Sequence, residues 1–448
     1  MIDFFLQKIS EDPDHQAIVT DNEIATYGEL LGSINYFTRW LIDNKIPQGA
    51  VVSFNGDYSP RTIALFLALT KNNNIVVPLS EDSRQHFIEF REIAQTEFDI
   101  SSADGTPELT VTHRKADHEL YSKLRDQQRP GLVLFSSGST GKSKAILQDL
   151  NKLMSKFQKP RKQLRMLIFL QLDHIGGVNS LLYSLANKGT TIAADSRSPD
   201  TVCRAIENHR AELLPTSPTF LNLLLLSKAY ERYDLSSLKL ITYGTEPMQK
   251  STLEKLPMVL PNAELQQTYG LSEVGILRSK SRSSDSLWMK VGGSEFTTKI
   301  ANGTLWIKSD SGMLGYLNAP NPFDEEGFMD TGDLVEQDGD WIRILGRSSE
   351  TINVGGLKVY PAEIESVLLD MEGIEDVVVF GQDHPITGKI VVAKFKLRED
   401  ESLSKLKARM LSYCKEKLQP YKIPSKIYLT DETTFNARFK RMRRLEKN

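Results

Sequence analysis

Residues 135–145 read Phe135-Ser136-Ser137-Gly138-Ser139-Thr140-Gly141-Lys142-Ser143-Lys144-Ala145. The five residues from 131 to 135, GLVLF, are apolar and predict a short buried strand. That strand runs directly into a loop of glycines, hydroxyls and two lysines. Such a loop suits phosphate: glycine lets backbone N–H groups approach the oxygens, hydroxyls donate hydrogen bonds, and lysine supplies charge. A plain surface turn needs no such cluster. A sharper rival is a Walker A loop, because Gly141-Lys142-Ser143 matches its end and residues 167–173 form an apolar run closing on Asp173. The Walker pattern, however, needs glycine five positions before Gly141, where this chain has Ser136.

Working outward, apolar strands and helical stretches alternate on both sides of the loop. Thr26-Tyr27 opens a helical pattern. Residues 51–54 read as a strand, 62–70 as a helix and 75–78 as a strand. Further strands are expected at 166–170, 190–194, 238–242 and 264–267, with helices at 179–186, 201–209 and 219–226 between them. Strands separated by helices imply largely parallel, covered sheets, hence an α/β fold. The character changes after about residue 346. A helix is expected at 361–369, with Pro361 in the first position that proline favours. Strands follow at 377–380 and 390–395, then a helix over 402–418 with Leu403, Leu406, Met410, Tyr413 and Cys414 spaced by three and four. The expectation is therefore a large N-terminal domain over 1–347, a hinge at 348–350 and a small, mobile α+β domain over 351–448. Cys414, on an apolar helical stripe, reads as a core residue.

Composition agrees with that scale. At roughly 100–200 residues per domain, 448 residues make two to four domains. A formal charge of −3 lacks the basic footprint of a general nucleic-acid binder. Cys203 and Cys414 are the only cysteines, too few for a disulfide framework, so a reducing compartment is expected. The N-terminus lacks a signal-peptide pattern and the apolar run 221–226 is too short to span a bilayer. The expected location is the cytoplasm, with no nucleic-acid partner and no membrane span.

The loop at 136–145 resembles the Thr-Ser-Gly-Thr-Thr-Gly-x-Pro-Lys-Gly signature of the adenylate-forming superfamily, which includes acyl-CoA synthetases, adenylation domains and firefly luciferase. Ser143 replaces its proline and Ala145 its last glycine. Further segments match in the family's order. Residues 267–273, Gln-Thr-Tyr-Gly-Leu-Ser-Glu, resemble its Tyr-Gly-x-Thr-Glu segment, and Tyr316 through Thr331-Gly332-Asp333 its Tyr…Thr-Gly-Asp segment. Gly346-Arg347, Ile352-Asn353-Val354-Gly355-Gly356 and Pro361-Ala362-Glu363-Ile364-Glu365 resemble its hinge and the start of its small domain. Five such segments in order, across essentially the whole chain, outweigh the Walker near-miss and favour Lys144 over Lys142 as the phosphate lysine.

The resemblance implies ATP-dependent activation of a carboxylic acid to an acyl-adenylate, with pyrophosphate released. Two anions must then meet, so catalysis is mainly positioning and charge neutralisation. By the same resemblance, the loop Ser136, Ser137, Gly138, Ser139, Thr140, Gly141 and Lys144 would hold the β- and γ-phosphates. Glu273 would hold Mg²⁺, and Ser272 would contact the α-phosphate. Tyr269, flanked by Thr268 and Gly270, would stack near adenine. Asp333 would bind the ribose hydroxyls, with Arg347 nearby. Gly244-Thr245-Glu246 resembles the loop lining the adenine site and acyl pocket. His174-Ile175-Gly176-Gly177 resembles an acyl-pocket gate; Asp173, next to it, keeps open an amino-acid reading. Leu181, Leu182 and Val274 could line a pocket or be core.

Two departures stand out. The family's catalytic lysine, in Asn-Gly-Lys-x-x-Arg, meets Asn436-Ala437-Arg438-Phe439-Lys440-Arg441 here, which puts Arg438 at the lysine's place. Three readings follow: Arg438 does the work, Lys440 reaches in its stead, or the chain binds nucleotide with weak turnover. The family's hinge residue, Asp or Lys, is Ser349 here. The small domain is expected to swing there between half-reactions. Gly355 and Gly356 resemble the glycines beside the family's thiol tunnel, where the acceptor is CoA or a carrier-protein phosphopantetheine. CoA is favoured, since no carrier domain is fused to the chain.

Overall fold

The computed structural model describes residues 1–101, 105–137, 143–432 and 435. Four sheets carry the architecture. The first, seven-stranded, runs Glu264–Gln267, Leu240–Tyr243, Leu213–Thr216, Arg165–Leu167, Thr190–Ile192, Gln16–Val19, Ile24–Thr26; only its last pair is antiparallel. The second, also seven-stranded, has a parallel centre of Gly131–Ser137, Ile75–Leu79, Val51–Asn55 and Phe98–Ser101. Antiparallel strands flank it, Ser143–Asp149 and Gly315–Tyr316 on one side and Glu108–Val111 on the other.

Helices fill the space between these sheets. Pro60–Lys71 is buried almost all round, from Thr62 through Thr70, and such a helix belongs inside a layered fold. It shares one core with Phe5, Leu30, Phe37, Leu181 and Leu185 from three other helices. Helix starts are encoded locally. Thr26 and Glu29 form a reciprocal capping box, with Thr26 N–H donating to Glu29 Oε2 at 2.7 Å. Ser59-Pro60, Ser198-Pro199 and Ser217-Pro218 each pair a capping serine with proline at the first turn.

The α/β architecture agrees with the reading of the sequence, with one addition. A third sheet of six strands, spanning residues 278–347, is entirely antiparallel. Its hairpins turn on Asn302-Gly303 and Gly339-Asp340; Asn302 at φ 52°, with Gly303 and Gly339 at 79° and 60°, adopts the left-handed geometry of tight hairpin turns. The fourth sheet contains Leu357–Val359, Ile352–Val354, Gly388–Leu397 and Ile374–His384, with Lys426–Leu429 parallel to Gly388–Leu397. Helices Pro361–Leu369 and Leu403–Cys414 cover it through Ile364, Leu368, Leu406, Met410 and Cys414. Cys414 is core, as expected, and Cys203 is buried too. Among the described residues, no helix is long and apolar enough to cross a membrane.

Candidate functional site

One cavity of about 1770 Å³ gathers residues from all four sheets. It opens where the strands Leu240–Tyr243 and Glu264–Gln267 end, and the chain continues into Gly244–Pro247 and Thr268–Glu273. The carboxyl ends of parallel strands are where open α/β sheets bind ligands.

The phosphate-type loop does not lead into a helix. Gly131–Ser137 and Ser143–Asp149 are antiparallel neighbours, with Ser136 opposite Lys144. A Walker loop joins a strand to a helix, so the hairpin removes that rival on topology. Lys144 therefore projects from a strand, and its ammonium lies 4.9 Å from the centre of the Tyr316 ring. Asn318 fixes the hairpin by accepting from Ala145 N–H at 2.9 Å and donating to Ser143 O at 2.8 Å. Tyr316 in turn donates its phenolic hydrogen to Glu273 Oε1 at 2.7 Å. Burial and the Glu273 carboxylate push the Tyr316 phenol well above its usual range, so it stays a donor. Ser272 is held through its carbonyl, which accepts from Gln148 Nε2 at 2.5 Å. Ser136, Lys144, Ser272 and Glu273 all line the cavity. No cluster of three metal-type side chains exists among the described residues. A lone carboxylate fits Mg²⁺, which is commonly held by one or two carboxylates plus phosphate oxygens and water.

The opposite wall is built on Asp333. Tyr269 donates to Asp333 Oδ2 at 2.5 Å, and Arg347 Nε meets Asp333 Oδ1 at 2.7 Å. Arg347 also donates to Thr331 O at 3.1 Å, which is possible because Asp333 and Arg347 are register partners on adjacent strands. Tyr269 is buried and its phenol is raised by burial and by Asp333, so it too remains protonated. Gly244 packs against Thr268: a Cβ there would stand 2.7 Å from Thr268 O. Gly270 is similarly confined, 2.6 Å from Gly275 O. Thr245 has φ 76°, strained for a β-branched residue and confined to this loop beside the cavity. Glu246 also lines the cavity, but its Oε1 accepts from Thr219 N–H at 2.8 Å and from the Thr219 hydroxyl. That carboxylate holds the start of helix Pro218–Ser227.

Helix Ile175–Ala186 forms the third wall. It begins four residues earlier than the sequence suggests, and His174 is its N-cap, with Nδ1 accepting from Gly176 N–H at 3.0 Å. Glycine at 177 is a packing necessity, since a Cβ would lie 2.0 Å from Gln171 O. His174, Gly176, Asn179, Ser180 and Tyr183 face the cavity. Leu181, Leu182 and Val274 are fully buried core residues that do not line it. Asp173 is likewise absent from the lining; its Oδ2 accepts from Ser80 Oγ at 2.7 Å, behind the wall.

Other expected site residues fall elsewhere. Gly138, Ser139, Thr140, Gly141, Arg438 and Lys440 lie outside the described residues, as does the side chain of Ser137. Ser349 sits in a 3₁₀ turn, Ser348–Glu350, at the cavity edge. Gly355 and Gly356 do not line the cavity. They form a two-residue hairpin turn with φ 58° and 87°, and a Cβ on either would meet nothing within 4 Å. The turn by itself accounts for glycine at both positions in this arrangement. The fourth sheet instead shows the cavity Val378, Phe380, Lys389 and Lys394, with Thr430 just past its strand Lys426–Leu429. Sequence reading gave no role to the Tyr316 hydroxyl, Asn318 or Gln148, whose contacts depend on distant strands.

Comparison with known proteins agrees with this geometry. The AMP-binding enzyme family matches residues 5–317, and the AMP-binding enzyme C-terminal domain matches residues 363–440. The chain is 29% identical to acyl-CoA synthetase 7 of Caenorhabditis elegans, over 98% of this chain and 93% of that protein. It is 24% identical to the indoleacetate–CoA ligase of Aromatoleum aromaticum, over 94% of this chain and 92% of that one. The crystal structure of the anthranilate CoA ligase AuaEII with anthranoyl-AMP shares the fold at TM-score 0.81 and 18% identity, covering 98% of this chain and 95% of that one. The chain belongs to the AMP-binding enzyme family, and with it to the adenylate-forming superfamily.

Proposed function

We propose that the protein is an AMP-forming acid–thiol ligase. A substrate carboxylate oxygen attacks the α-phosphorus of ATP, the bond to the β-phosphate oxygen breaks, and pyrophosphate leaves. The acyl-adenylate then passes its acyl group to the thiol of CoA, and AMP leaves. The observation that carries this reading is the Lys144–Tyr316–Glu273 arrangement. It sets a cation and a carboxylate side by side on one wall, facing the cavity that Asp333 and Arg347 close on the other.

Lys144, with Ser136 and the loop 137–141, binds the leaving phosphates. Glu273 would hold Mg²⁺, which would neutralise phosphate charge, and Ser272 would contact the α-phosphate. Asp333, oriented by Tyr269 and Arg347, binds the ribose hydroxyls. Gly244, Thr245, Thr268 and Gly270 shape the slot for adenine. His174, at a helix N-terminus, stands where the acid enters. The C-terminal segment around Arg438 and Lys440 completes the adenylating site, and rotation about Ser349 would exchange that segment for the hairpin at Gly355-Gly356. CoA is favoured as the acceptor because the relatives named above as CoA ligases match along nearly the whole chain.

Acid-dependent pyrophosphate release with a panel of carboxylic acids tests the first half-reaction. Adding CoA, or a phosphopantetheinylated carrier protein, tests the second. The reading is abandoned if no acid elicits release, and CoA is displaced as acceptor if only the carrier is acylated.

A further inference from the structure

Beyond His174, the cavity runs along the helix Ile175–Ala186, whose Gly176, Asn179, Ser180 and Tyr183 form one lining stripe. Apolar residues of the first sheet, among them Met166 and Leu240, line the same cavity. Its inner end is different. Lys156, the C-cap of helix Leu150–Ser155, presents its ammonium there. The hydrogen bonds of Lys156 go to neutral acceptors, Asn179 Oδ1 and the Ile276 carbonyl at 3.4 Å. Among the described residues, no carboxylate lies within ion-pair distance of it. The acid whose charge reaches it, Glu295, is paired with Arg278 at 3.2 Å, and Arg161, which also acts on it, lines the same cavity. Three cations therefore face one carboxylate. An enclosed ammonium in such a place is costly unless a counter-charge arrives.

We propose that Lys156 selects acids carrying a second anionic group, so that the preferred substrate is a dicarboxylic acid activated at one end and held by Lys156 at the other. This rests on the ligase reading above and names its substrate class. Physical scale supports a short acid. From the His174 cap to Asn179 is five residues, about 7 Å of helix. Burial, together with Arg161 and Arg278, lowers the Lys156 ammonium to about 8 against the pull of Glu295, so at neutral pH it is mostly charged and receptive to an anion. The alternative is a purely structural lysine tying Asn179 to the Ile276 loop.

The test compares matched acids in pyrophosphate exchange: butanoate with succinate, hexanoate with adipate, octanoate with suberate. For the best pair, wild-type protein should favour the diacid by at least tenfold in kcat/KM. Lys156→Met should cut that ratio at least tenfold, mainly through KM for the diacid, and Lys156→Arg should restore part of it. Lys156→Gln serves if the methionine variant does not fold, and the wild-type ratio needs no variant. Exchange with the monoacids and a wild-type ratio at or below one would overturn the inference while leaving the ligase reading intact. A ratio unmoved by Lys156→Met would assign the lysine to structure and overturn it too. No exchange with any acid would end both.

Discussion

Tyr316 donates its hydroxyl hydrogen to Glu273 at 2.7 Å while its ring face receives Lys144 at 4.9 Å. One side chain thus sets the spacing of the two charges on the phosphate wall. Tyr316→Phe removes the first contact and keeps the second. A hydrogen bond to a charged group is worth about 1.5–3 kcal/mol, so kcat/KM for ATP should fall about ten- to hundredfold. The Mg²⁺ concentration giving half-maximal exchange should rise with it. Unchanged Mg²⁺ dependence would mean that Glu273 needs no such orientation.

Asp333 accepts from Tyr269 and Arg347 at once, so its removal leaves a buried phenol without that acceptor and a guanidinium without that counter-ion. Asp333→Ala should raise the KM for ATP at least tenfold and lower stability by about 1–3 kcal/mol, read from urea unfolding. Tyr269→Phe should produce a smaller KM effect, because Arg347 still orients the carboxylate. The phenol is raised, not lowered, so neither variant should introduce or remove a pH transition attributable to Tyr269 between pH 6 and 9. Equal KM effects for both variants would show that Asp333 acts only by way of Tyr269.

How much of this was readable in the sequence differs from residue to residue. Local chemistry was: a strand entering a Gly/Ser/Thr loop, a proline at the first position of the helix 361–369 and a helical apolar stripe ending at Cys414 each depend on neighbours a few positions away. The antiparallel third sheet is harder to read although Asn302-Gly303 is a strong hairpin signal, because Phe296–Ala301 has no buried residue and neither it nor Thr304–Ser309 alternates apolar with polar residues. Glu246 shows the opposite limit. Its motif pointed to nucleotide, but its partner Thr219 is 27 residues away, and only the fold reveals that the carboxylate anchors a helix. Gly355-Gly356 is legible as a loop, and the structure adds that it is a two-residue hairpin turn with both φ values positive. Lys156 carries no motif, and its enclosure emerges only when the loop at Ile276 closes over it.

Glu246 accordingly makes a prediction that separates anchoring from binding. Removing a helix-start acceptor costs about 1–2 kcal/mol. Glu246→Ala should lower the urea midpoint by that amount. Its effect on the KM for ATP should be smaller than that of Asp333→Ala. A large KM change with unaltered stability would return Glu246 to the nucleotide site.

The 3₁₀ turn at Ser348–Glu350 joins the third sheet to the fourth and borders the cavity. Proline is tolerated near the start of a helical turn but locks φ. Ser349→Pro should therefore preserve the arrangement seen here and hinder rotation away from it. Acid-dependent pyrophosphate exchange should fall less than fivefold, whereas thioester formation from CoA should fall at least tenfold more than that. Equal loss in both half-reactions would count against a hinge at Ser349.

The last prediction concerns the catalytic cation. An acid's carboxylate and the α-phosphate must approach as like charges, and a cation about 4 Å from the developing anion is worth roughly 4 kcal/mol at an effective dielectric near 20. That is about a thousandfold in rate. Lys144 faces the phosphate wall through Tyr316, and the proposed second cation comes from the C-terminal segment that carries Arg438 and Lys440. By the sequence resemblance Arg438 would stand at the family's lysine position, but guanidinium is planar and forked where ammonium is a compact point charge, so charge alone does not guarantee geometry. If Arg438 acts, Arg438→Ala should slow pyrophosphate exchange about a hundred- to a thousandfold and Arg438→Lys should match or exceed wild type. If Lys440 acts, those roles exchange. Full exchange in both alanine variants would show that neither cation contributes, and slow exchange in the wild-type protein itself would place the chain among weak adenylating enzymes.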